Sequence, residues 1–146
     1  MPIANYTTSV AAQRSIAEIQ ERLAKAGATA VLIDYIDGQP AAVSFAMPLG
    51  STTLRFRLPA KPDGILRALK GSRVEPRYRT ADHARKVAWR IVRDWVRAQL
   101  ALVEAEQATL AEAMLPYAIT GSGRTLYQEL EAHPRMFQLG SGESGE

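Results

Sequence analysis

The chain has no cysteine and only two histidines, His83 and His133. Without thiols there is no disulfide framework, no thiolate zinc ligand and no thiol nucleophile. Two imidazoles so far apart make a metal site only with carboxylates from elsewhere, and no spacing in the chain advertises such a set. No apolar run approaches the roughly 18 residues of a membrane span. The opening MPIANYTTSV has neither the basic start nor the apolar core of a secretory signal. The expectation is a cytoplasmic protein that does not contact membranes. No nucleophile can be paired with a base, so neither catalysis nor a cofactor nor a bound metal is expected.

What is present is a chain of 146 residues, 47% hydrophobic and 23% charged, enough for one core. The net charge is only +3, but residues 55–97 hold thirteen Lys and Arg against four Asp and Glu, whereas residues 98–146 hold two against seven. A basic middle followed by an acidic end points either to an anionic partner for the middle or to neutralisation within or between chains.

Hydrophobic periodicity predicts an α+β domain over 1–139, with a sheet layer over about 5–58 and a helical part over about 63–132. Thr8 or Ser9 is placed to cap a helix starting near Val10, whose Ile16, Ile19, Leu23 and Ala26 recur at helical spacing before Gly27 closes it. Thr29 to Ile36, Ala41 to Met47 and Thr52 to Leu58 read as an antiparallel meander, turned at Asp37-Gly38 and at Pro48 to Ser51. The early helix covers its buried face. Asn5 to Thr8 has the composition of a fourth, edge strand, so three to four strands are expected. Asp63 caps a short helix, Gly64 to Leu69, and Gly71 to Arg79 is a loop. A last short helix, Thr125 to Ala132, precedes a tail, 140–146, too poor in apolar residues to order itself.

The strongest element is a long amphipathic helix over residues 80–105, capped by Thr80. Ala84, Ala88, Ile91, Trp95, Ala98 and Leu102 draw an apolar stripe along it. Lys86, Arg90, Arg93 and Arg97 stand in one sector roughly opposite, with Trp89 at its border. Such a row can follow a phosphate backbone while an indole offers a stacking surface. Arg55 and Arg57 project from the polar face of the sheet, and Arg77 and Arg79 crowd the preceding loop; with the row they form the candidate anion-binding set. Ten of the thirteen cations in 55–97 are arginine, whose planar fork suits phosphate. The competing reading is a solvated helix face with i,i+3 and i,i+4 pairing to Asp94 and Glu104, and burial of Trp89 under the sheet.

Weaker candidates have simpler explanations. Asp34 and Asp37 follow from strand alternation and a turn. Thr120 to Arg124 lacks the spacing and lysine of a phosphate loop. His83 serves the first turn of its helix.

The combination Asn5-Tyr-Thr-Thr, Ile16-Ala-Glu-Ile, Phe56-Arg-Leu-Pro59, Val87-Ala-Trp-Arg90, Asp94-Trp95, Ala98-Gln-Leu-Ala101 and Leu115-Pro-Tyr117 resembles a family of small bacteriophage and prophage proteins, over about residues 5–131. The resemblance implies a phage setting and no particular activity. Two functions follow as expectations. One is a non-catalytic nucleic-acid-binding accessory protein of replication or recombination, with single-stranded DNA favoured. The other is an interaction protein, oligomeric through helix packing, that inhibits a host defence factor or sequesters an anionic nucleotide signal.

Overall fold

The computed structural model describes residues 2–137 and shows an α+β fold. Helix α1 (Ala12–Lys25) leads into strands β1 (Ala30–Ile36), β2 (Gln39–Leu49) and β3 (Thr52–Pro59). Helices α2 (Pro62–Lys70), α3 (Ala81–Glu104), α4 (Leu110–Met114) and α5 (Leu126–Ala132) follow. The tail expected at 140–146 lies outside the described residues.

The sheet is an antiparallel meander in the order β1-β2-β3. Its first turn needs positive φ at both central residues, and Asp37 at 51° and Gly38 at 76° supply it. Asn5 to Thr8 is not a fourth strand. Asn5 has φ of 64° and its carbonyl accepts from Thr8 N, a local turn that leaves no extended backbone to pair. The predicted side-chain caps of the first two helices are also replaced. Thr8 Oγ1 accepts from Val10 N, and α1 begins later, behind Ala11. Asp63 lies in the first turn of α2, next to the Pro62 that starts it. Gly27 does close α1, at φ 109°, while Ala28 N returns to Leu23 O. Thr80 caps α3 by accepting from His83 N.

Register sorts the two sheet faces. On the inner face Val31, Phe45 and Phe56 stand in one cross-strand row and Ile33, Val43 and Leu58 in the next. Phe45 and Phe56 stack with ring centroids 5.0 Å apart. Against these rows pack Ile16, Ile19 and Leu23 of α1, Ala88, Trp89 and Val96 of α3, and Met114 of α4, in one core. Among the described residues the outer face carries no helix over β2.

The burial of α3 corrects the expected stripe. Its first half packs against α1 and α2 and joins the sheet core through Ala88 and Trp89, so most of its circumference is covered, Trp89 at 1% exposure included, and only the side bearing Asp82, Arg85 and Lys86 is open. The second half runs past the sheet: Trp95 is half-buried, edge-on to Tyr117, and Ala98 and Leu102 face solvent. Trp89 is therefore core, and stacking a base on it is ruled out by its own packing.

These positions set a contrast in stability. Trp89→Ala should lose about 3–5 kcal/mol in chemical denaturation, as large-to-small changes in tight cores do, whereas Leu102→Ala should stay within about 0.5 kcal/mol of the parent, as exposed sites do.

Candidate nucleic-acid interface

The nine candidate residues fall into five places. Trp89 is in the core. Arg90 and Arg93 lie in the seam between α3 and α1, where Glu18 Oε2 accepts from Arg90 Nη1 at 2.6 Å and stands 3.2 Å from Arg93 Nε. Arg93 Nε is within ion-pair range of Glu18 and of Asp94 yet is aligned to donate to neither. Asp94 in turn accepts from Asn5 Nδ2, tying the N-terminal turn to the helix. Half of the predicted basic row is thus held against a carboxylate of a neighbouring helix. Burying a guanidinium costs several kcal/mol unless it is paired, and Glu18 is that partner.

The remaining two members of the row stay on the surface. Lys86 is 3.8 Å from Asp82, and Arg97 is exposed toward the end of α3. Arg77 and Arg79 are exposed in the loop before α3. Arg77 pairs with Glu75, donates to Tyr78 Oη and covers the Tyr78 ring. Tyr78 is packed on Tyr6 and His83, and His83 Nε2 reaches Tyr6 O at 2.5 Å. This assembly fixes the loop and the N-terminus to α3, which is the work of His83.

Arg55 and Arg57 are on the outer face of the sheet, where a groove is built. The central strand shows only Ser44 and Ala46 in this groove, because β2 alternates small outward residues, among them the covered Ala42, with Val43, Phe45 and Met47 inward. Larger neighbours flank it: Leu32 and Asp34 on β1, and Arg55 and Arg57 on β3, with Ile119 beyond. Walls two strand spacings apart, about 10 Å, enclose a hollow of about 300 Å³. Asp34 accepts from Ser44 Oγ at 2.8 Å and lies 3.9 Å from Arg57 Nε. Arg55 is exposed and has no carboxylate partner among the described residues.

Arg57 also lines a second hollow, of about 350 Å³, with Pro59, Lys61, Tyr117 and Tyr127. Its guanidinium stands between the two and donates to Gly123 O at 3.3 Å. Lys61 is exposed and unpaired among the described residues, Tyr127 is 52% exposed, and Glu131 stands at the rim. Together the hollows form one path across the sheet, from Leu32 over Arg57 to Tyr127. Its C-terminal wall is secured by pairing: Ile119 N donates to Arg55 O, and Thr120 to Arg124 turn back so that Leu126 N reaches Ala118 O. A capping box of Thr125 and Gln128 then starts α5.

Lys61 and Tyr127 were missed from sequence. Lys61 follows β3 by two residues and continues the outward alternation of Arg55 and Arg57, whereas Tyr127 is brought beside Arg57 only by the return of residues 118–127 to β3. Among the described residues no three His, Asp or Glu side chains cluster for a metal ion, and no helix is long and apolar enough to cross a membrane. Comparison with known proteins yields no match: no family model, no curated protein and no solved structure.

Two outcomes test this geometry. Glu18→Ala should cost about 2–3 kcal/mol, below the 3–5 of a fully buried pair because Glu18 is one-third exposed, with Glu18→Gln recovering part of the loss. The Glu129 carboxyl is held below its ordinary range chiefly by the Ser122 hydroxyl, with burial opposing and Arg124 adding a lesser lowering. A depressed folded pKa stabilises above the unfolded value and is lost as pH falls through the folded one. The 120–124 turn should therefore loosen in acid, read as a lower protection factor at the Gly123 amide, its exchange rate compared with the intrinsic rate at each pH.

Proposed function

We propose that the protein is a non-catalytic nucleic-acid-binding accessory protein that lays a single strand across the outer face of its sheet. The observation that carries this reading is the placement of Arg57 between two hollows, with unpaired Arg55 and Lys61 to either side and the exposed ring of Tyr127 at one end. Cations that track a backbone, joined to an aromatic surface for a base, are what sequence-tolerant single-strand binding requires. The small side chains over β2 let a strand approach the sheet closely, and walls about 10 Å apart leave no room for a duplex. The Arg90 and Arg93 pair serves the fold. Arg77, Arg79, Lys86 and Arg97 supply long-range attraction from other surfaces. Single-stranded DNA is the favoured ligand, and a phage replication or recombination setting agrees with the motifs noted above.

A shift assay across a salt series, with single-stranded DNA, duplex DNA and RNA in parallel, tests it. Three neutralised phosphates give a slope of about −2 in log affinity against log salt, or roughly a 20-fold loss between 50 and 200 mM. Arg55→Ala with Lys61→Ala should flatten that slope, and Tyr127→Ala should cost about 1–3 kcal/mol of binding. Affinity unchanged in these variants, or stronger for duplex, would sink the reading. A mononucleotide bound as tightly as an oligomer, with the same Arg55 dependence, would favour sequestration of an anionic nucleotide, for which one hollow of about 300 Å³ is large enough.

A further inference from the structure

The two edges of the sheet are finished differently. On the β3 side Ala118 pairs with Phe56, and Ile119 N donates to Arg55 O, so the chain itself occupies part of that edge. β1 ends the sheet on the other side with nothing beyond it among the described residues. An open edge presents unpaired N–H and C=O groups, and proteins usually guard it with Lys, Pro, a bulge or a covering segment. β1 has no Lys, Arg or Pro. The extra residue in its pairing, Ala41, lies on β2. Its only charge, Asp34, is turned across the sheet to Ser44 and Arg57. The three most exposed large hydrophobic residues of the described structure, Leu32, Tyr35 and Ile36 at 63–66%, lie on this strand, ahead of Leu49, Leu102, Leu115 and Tyr127 elsewhere.

We propose that β1 pairs antiparallel with β1 of a second copy about a two-fold axis, joining two three-stranded sheets into one of six. The strand is complementary to itself. With the axis at Ile33, the helix-side row sets Ile33 against Ile33 and Val31 against Tyr35 of the other copy, twice. The outer row sets Ala30 against Ile36 and Leu32 against Asp34. Aromatic and β-branched side chains directly opposite one another are favourable cross-strand pairs, and Tyr35 gains the cover it lacks in one copy. Centring the axis on Asp34 instead would oppose two carboxylates. A slip of one residue would send the core-facing row outward. Closed two-fold pairing is also the commonest way for one chain to satisfy itself. One strand per copy is a small contact, below the roughly 1,200 Å² of stable interfaces, so the dimer forms with rising concentration and is not permanent. Because Leu32 is both an edge residue and a wall of the groove, the second copy extends the outer face on that side.

Sedimentation of the full chain over a concentration series reads this directly. The expected result is a mass rising from one chain to two and no further. Tyr35→Lys with Ile36→Lys should abolish the rise with circular dichroism unchanged, and neither residue lines the groove, so nucleic-acid binding is scored separately. The chain has no cysteine, which makes a single introduced thiol a clean probe. Leu32→Cys places two thiols on diagonal positions about 7–8 Å apart, within reach of a short bis-maleimide, whereas Leu102→Cys on α3 should not cross-link. A monomer at every concentration, a larger assembly, a dimer that survives the lysine pair, or cross-linking through Leu102 instead of Leu32 each overturns the proposal.

Discussion

The contact between Glu18 and Arg90 is the constraint on which the rest of the fold turns. The first half of α3 packs against α1 and α2 and reaches the sheet through Ala88 and Trp89, so away from its one open side, which bears Asp82, Arg85 and Lys86, it cannot carry an unpaired charge. Yet Arg90, 8% exposed, lies one residue from Trp89 at the centre of that junction. A carboxylate donated by α1 resolves the conflict at 2.6 Å. It also fixes the rotation of α1, whose Ile16, Ile19 and Leu23 must then face the sheet. Breaking the pair leaves a buried guanidinium, which is costly, whereas an apolar replacement of both partners is not necessarily so. What this ion pair adds is therefore registry between α1 and α3 as much as energy.

From that registry follows the side of the sheet left open. With α1 and α3 both on the inner face, β2 has no helix over its outer side among the described residues, and the alternation that fills the core with Val43 and Phe45 leaves Ser44 and Ala46 facing out. A groove results without any residue being unusual for its position. Its walls come from β1 and β3, and its far end from residues 117–127, which hydrogen-bond to the β3 backbone through Ile119. The groove is a by-product of how a small α+β layer disposes its large and small side chains.

The element order was legible in the sequence because each element carries a local cause. Asp37-Gly38 specifies its turn, period-two alternation specifies β2 and β3, Gly27 closes α1 and Thr80 caps α3. Asn5 to Thr8 misled because strand-like composition says nothing about a backbone that turns at Asn5 and is held there by Asp94. The site was less legible. Spacing put Lys86, Arg90, Arg93 and Arg97 on one sector of a helix, but an ion pair with Glu18, 72 residues from Arg90 along the chain, depends on tertiary packing that periodicity does not encode. Arg55 and Arg57 were identifiable as outward residues of β3, since strand alternation is a local fact. Lys61 extends the same alternation two residues past β3 and could have been read with them, whereas Tyr127 joins only through chain return, and no local signal marks such a meeting.

Charge is arranged along α3 in a way that favours an oriented encounter over helix stability. Its last turn contains no basic residue, and Glu104 and Glu106 gather where the helix dipole is already negative. Its first turns carry Arg85 and Lys86, with Arg73, Arg77 and Arg79 in the loop before it, where the dipole is already positive; Asp82 is the one carboxylate of that turn. Cations at the C-terminal end and anions at the N-terminal end would each contribute about 0.3–1 kcal/mol, and the chain forgoes most of that. The side chains and the peptide dipoles add, giving the molecule a basic end and an acidic end. Such a field acts beyond contact distance and would turn an approaching polyanion toward the basic end and away from the acidic one before any hydrogen bond formed. In the proposed binding, the groove with Arg55, Arg57 and Lys61 would then act at contact. On that proposal, salt would weaken the approach through the exposed arginines and the grip through the groove cations, and only the second would depend on where a base lay against Tyr127.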